Sequence, residues 1–135
     1  MKNVKQYYKE LGRLLYAIAI ADGAVQAEEA DELHSFVMKE LAHYEKTYDS
    51  SGMNQAFYVD FEFEENVKSH GPLDNAVAVF KSFIEHNAEK GDQALIERSI
   101  SLMETVAYAY SKKNEKNILE QVKSVTRHLA DLKNL

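Results

Sequence analysis

Leu11 to Tyr44 reads LGRLLYAIAIADGAVQAEEADELHSFVMKELAHY, two apolar-striped segments joined by one acidic turn, Asp22-Gly23-Ala24-Val25. Upstream of the turn, Val4, Tyr8, Leu11, Leu15 and Ile18 recur at helical spacing, and Tyr7, Leu14 and Ala21 widen the stripe. This periodicity predicts a helix over about 4–21. Alanines 17, 19 and 21 leave room for a neighbouring helix. Gly23 is placed to end the helix, because the residue past a helix C-terminus often takes positive φ. Downstream, Ala30, Leu33, Phe36, Val37, Leu41 and Tyr44 predict an inward face for a second helix over 27–46.

The rest of the chain repeats this pattern. Val77, Phe80 and Ile84 predict a helix over 73–90. Leu95, Ile96, Ile100, Met103, Val106 and Tyr110 predict one over 93–111, with Asp92 as its N-cap, and Ile118, Val122, Val125 and Leu129 predict a last one. Thr47 to Gly52 is turn chemistry. Between them, Phe57, Val59, Phe61 and Phe63 alternate with Tyr58, Asp60, Glu62 and Glu64. That alternation reads as a strand, yet a lone strand has no partner, and Phe57, Phe61 and Glu64 also share a helical stripe. The segment is expected as an extended or short helical piece over the core, aromatics inward and acids wet. One proline and five glycines in 135 residues favour long helices. The expected fold is all-α: a compact single-domain bundle of about five to seven helices.

Composition excludes several functions. There is no cysteine, hence no disulfide, thiolate metal site or cysteine nucleophile. No run approaches the roughly 18 apolar residues of a membrane span. Lys2, Lys5, Lys9 and Arg13 precede an apolar run, but the helical stripe continues through them and Glu10 interrupts them, unlike a signal peptide. A cytoplasmic location is expected. The net charge of −6 is uneven: from Asp22 to Glu65 twelve acids face only Lys39 and Lys46. Such a middle segment repels phosphate, so nucleic acid is not the expected partner. A basic protein surface, a second copy of the chain or a cation would be attracted.

The turn carries the one motif with chemistry in it. Asp22, Gly23, Val25 and Glu29 fall in the register of positions 5, 6, 8 and 12 of the EF-hand calcium loop. Ile18 and Ile20 would occupy positions 1 and 3, so a normal EF-hand is excluded. What remains is a helix-turn-helix corner where Asp22 and Glu29, joined by Glu28 and Glu32, form a candidate site for Ca2+ or Mg2+, hard cations that take oxygen ligands. A second reading stands beside it: Asp22 caps the second helix, a role that stabilises by about 1 kcal/mol. Carboxylates in the first turns of a helix also complement its dipole.

Ala17-Ile18-Ala19-Ile20-Ala21-Asp22-Gly23-Ala24-Val25, followed by Glu28-Glu29 and Leu33, resembles the signature of the TerB-like family. That family is named for the tellurite-resistance protein TerB, and its signature is similar to the N-terminal domain of membrane-tethered DnaJ-like co-chaperones. The match covers about residues 11–41. The resemblance implies a helical bundle, an acidic face that binds divalent metal at Asp22 and Glu29, and a role in bacterial stress responses without a known catalytic activity. Where a second copy of the motif would fall, Lys112 and Lys113 replace Asp and Gly. No catalytic triad, nucleotide loop or Gly-rich turn is recognisable. Asp31-x-x-His34 and Glu40-x-x-His43 lie on one helix and point apart, unlike the paired motifs of di-iron bundles. Two functions are therefore expected as alternatives: a cation-binding helical module, or a metal-free docking or oligomerisation domain using the acidic, aromatic middle.

Overall fold

The computed structural model describes residues 1–20, 27–69, 75–110, 120 and 122–128, with 27–30 and 109–110 described as backbone alone. The elements run α1 (Val4–Ala19), α2 (Ala27–Val37) extended by a π-helical turn (Met38–Ala42), a 3-10 turn (Gln55–Phe57), α3 (Tyr58–Ser69), α4 (Ala76–Asn87), α5 (Gln93–Tyr110) and α6 (122–128). No strand occurs among the described residues, and the fold is an all-α bundle. Nor is any described helix long and apolar enough to cross a membrane.

The bundle is built round α1, where nine of the sixteen residues are buried, so neighbours must cover it on more than one side. It packs on α3, α4 and α5. Tyr7, Tyr8, Leu11, Leu14, Leu15 and Ile18 meet Leu33, Val37 and Leu41 of α2 and its extension, Val59 and Phe63 of α3, Phe80 and Ile84 of α4, and Ile96, Met103 and Val106 of α5 in one core. Val122 and Val125 of α6 join the same core. Each such side chain contributes roughly 1.5–3 kcal/mol when fully buried. Tyr7 is 0% exposed, and its hydroxyl meets Ser99 Oγ of α5 at 2.5 Å, which satisfies an otherwise orphaned polar atom. Burial pushes the Tyr7 phenol well above its usual range.

The crossing of α1 over α3 is set by Gly12. A Cβ there would lie 2.5 Å from the Val59 carbonyl oxygen and 3.0 Å from Glu62 Cβ, so only glycine permits the observed approach. Alanines 17, 19 and 21 are the residues expected to admit a neighbour, and Gly12 is a further point of close approach that the apolar stripe does not single out. Beyond it Tyr16 meets Phe63 edge-on, ring centroids 5.9 Å apart.

Several boundaries differ from the sequence reading. The ambiguous segment is helical: once α3 lies in the angle between α1 and α2, its backbone polar groups are satisfied internally, which a partnerless strand cannot achieve. Helical period then places Val59, Asp60 and Phe63 inside and leaves Phe61 47% exposed. The expected division, aromatics in and acids out, fails at both Asp60 and Phe61. Tyr44, expected inward, is 49% exposed because it follows the π-turn, and the Arg98 guanidinium covers its ring at 3.2 Å from the centroid. α4 stops at Asn87 because Ala88 is extended, and Gly91, at φ 101°, serves the next turn instead. Asp92 sends its carboxylate back to the Glu89 N–H at 2.7 Å. Gly23, expected to end α1, and Leu73, where α4 is expected to begin, lie outside the described residues, as do Lys112 and Lys113.

Candidate functional site

Asn54 fixes α3 against the end of α2. Its side-chain oxygen accepts the Ala56 N–H at 2.9 Å, while its Nδ2 donates to the Ala42 and Glu45 carbonyls at 3.0 and 3.2 Å. One buried amide thus caps the 3-10 turn that opens into α3 and closes off the π-turn. Asp49 organises the intervening loop: it accepts from Ser51 N–H (2.9 Å), Ser51 Oγ (2.6 Å), Met53 N–H (3.0 Å) and the Tyr58 hydroxyl (2.6 Å). The Ser51 and Tyr58 hydroxyls hold its carboxyl well below the usual range. Glu45 accepts from the Tyr8 hydroxyl and from Thr47, tying the same loop to α1.

With α3 so placed, Phe57 at the end of the 3-10 turn and Asp60 in the first turn of α3 flank α2, and Glu64 follows one turn after Asp60. His34 of α2 reaches across to this flank: its Nδ1 lies 2.5 Å from Asp60 Oδ2, and its ring stacks on Phe57 with centroids 6.0 Å apart. The Asp60 side chain is 8% exposed and that of His34 is 55% exposed. Asp60 Oδ1 is buried without a hydrogen-bond partner. Burial pushes the Asp60 carboxyl up, opposed by the His34 hydrogen bond and reinforced by the charge of Glu64. A buried acid therefore orients a solvent-facing imidazole, and the pair pins α2 to α3.

Exposed residues continue the surface on both helices. Asp31, Glu32 and Met38 are exposed on α2, and Phe61, Glu64 and Glu65 on α3. Phe61 touches Tyr58 edge-on at 5.9 Å, and Lys5 of α1 lies over the Tyr58 ring at 4.7 Å. The α3 part of this surface is aromatic at Phe61 and acidic at Glu64 and Glu65, with the exposed Lys68 one turn beyond.

Of the four residues proposed for a cation, Asp22 lies outside the described residues, and Glu28 and Glu29 are described only as backbone in the first turn of α2. Glu32 is exposed. Among the described residues no three His, Asp or Glu side chains converge as a metal site. Neither a family model, nor a curated protein, nor a solved structure matches the chain.

The sequence points to the aromatic middle, Phe57 to Phe63, as a candidate contact, but not to which of its rings is exposed, since the aromatics are expected inward. It does not point to His34, whose nearest sequence partner, Asp31, gives no paired metal motif and whose actual partner is 26 residues away.

Proposed function

We propose that the chain is a TerB-like helical binding module, not an enzyme, which docks a basic protein surface through the acidic, aromatic face of α2 and α3. The observation that carries this reading is Phe61: a large apolar side chain, 47% exposed, set among Glu64, Glu65 and the Tyr58 ring. Exposed apolar groups rimmed by charge are the usual make-up of a docking surface. Its test is association in extract from the source cells. The tagged chain retains a partner at low salt, releases it as salt rises and holds it unchanged in chelator. Retention that is equal in a Phe61→Ser, Glu64→Lys double variant contradicts the reading.

A second reading keeps the cation. α1 ends at Ala19 and α2 begins at Ala27, with Glu28 and Glu29 in its first turn, a spacing compatible with a half EF-hand corner. Ca2+ or Mg2+ bound there would raise the melting temperature, and Asp22→Asn would abolish the rise. No shift at millimolar metal counts against it. Either activity would suit the bacterial stress-response setting that the TerB resemblance implies.

A further inference from the structure

We propose that the cationic group received at the α3 face is an arginine side chain of the partner, stacked on Phe61 and paired with the carboxylates of Glu64 and Glu65. The inference rests on the docking reading and adds the chemistry of its contact.

The fold already seats cations on two of its aromatic rings, one half-buried and one exposed. Lys5 lies 4.7 Å from the centroid of Tyr58, and the Arg98 guanidinium lies 3.2 Å from that of Tyr44, although Tyr44 remains 49% exposed. Phe61, like Tyr48 and Tyr108, is an exposed ring over which no described cation lies, and of the three it is the one that sits among the carboxylates of α3. Its helical neighbours at i+3 and i+4 are Glu64 and Glu65, both exposed and neither in an ion pair among the described residues. A cation over that ring would therefore meet both the π-face and two carboxylates within one helical turn.

The geometry favours arginine over lysine. A guanidinium is planar, so it can lie flat on a phenyl ring while its edge donates two parallel hydrogen bonds to a carboxylate. An ammonium is a compact, more strongly hydrated point charge and lacks the planar fork that pairs a carboxylate through two parallel bonds. Both kinds of cation lie over rings within this fold, and the Arg98 guanidinium lies nearer its ring, at 3.2 Å, than the Lys5 ammonium at 4.7 Å. The Asp60–His34 contact is closed within the fold, with Asp60 Oδ1 inaccessible, so an incoming cation meets Glu64 and Glu65 first.

The test uses the whole chain and two synthetic nonapeptides that alternate leucine with either arginine or lysine, equal in charge and length. Titration followed by amide chemical shifts is expected to show the arginine peptide binding about tenfold more tightly, with shifts centred on residues 57–68. Phe61→Ser is expected to bring the arginine affinity down to that of lysine while leaving lysine binding unchanged. Glu64→Gln with Glu65→Gln is expected to weaken both. Equal affinities in the wild type overturn the arginine assignment while sparing the docking reading, and so does an arginine preference that survives Phe61→Ser. Shifts centred elsewhere, such as on Glu97 and Glu104 of α5, overturn both. Phe61 is outside the core, so these variants fold, and the wild-type comparison of the two peptides needs no variant at all.

Discussion

Replacing Gly12 by alanine tests the packing that places α3, and with it the whole candidate face. The added Cβ would stand 2.5 Å from a main-chain carbonyl oxygen, and a main chain inside a helix cannot swing aside as a side-chain tip can. Forcing extra carbon into a packed site costs about 1–3 kcal/mol, and a backbone obstacle puts Gly12→Ala at the top of that range. Against this, alanine gains about 1 kcal/mol over glycine in a helix interior. The net expectation is a loss of about 2 kcal/mol. At about 2.1 cal/mol/K per residue, a chain of 135 residues unfolds with an entropy near 0.28 kcal/mol/K, so the midpoint falls by about 7 °C. Calorimetry measures it directly. Gly52→Ala is the control: at φ 85° and with nothing near its Cβ, it loses only the left-handed preference, about 1 kcal/mol. A Gly12→Ala protein as stable as the wild type, or more so, would refute the close crossing of α1 and α3.

Other variants probe the neighbouring links. Ser99→Ala strands the buried Tyr7 hydroxyl and is expected to cost about 1–3 kcal/mol in denaturant melts, whereas Tyr7→Phe combined with it recovers part of the loss. Phe80→Ala empties a fully buried site and should cost about 3–5 kcal/mol, while Phe61→Ser should stay within about 0.5 kcal/mol, since the ring faces water. Because burial raises the Asp60 carboxyl, the folded state holds that proton more tightly than the unfolded chain. Its contribution to stability therefore falls as pH rises from the ordinary carboxylate value towards the raised one. Asp60→Asn should flatten this slope in melts above the ordinary carboxylate value, and an unchanged slope would show that Asp60 is not the source.

α1, α4 and α5 are legible from their apolar spacing, because one helical period accounts for their buried residues even on α1, where neighbours cover more than one side. The segment at 57–63 is not, since its alternating residues satisfy two periods at once and only the contact with α1 and α2 selects the helical one. Asp60 and Phe61 then exchanged the places that hydropathy assigned them: position on the helix outweighed side-chain type, and His34 made the burial of a carboxylate tolerable. Gly12 drew no notice in the sequence, because a glycine within a helical stripe shows its purpose only when the opposing backbone is known. The acidic corner was the motif easiest to find, whereas the face on α2 and α3 depends on a contact 26 residues long.

Photo-crosslinking from position 61 tests the docking surface most directly. A benzoylphenylalanine placed there in the source cells is expected to capture a basic protein, at a position next to an arginine, and to lose it when Glu64 and Glu65 are changed to lysine. No adduct from position 61, or the same adduct from an exposed site on α5 such as Glu97, would contradict the claim that this face binds.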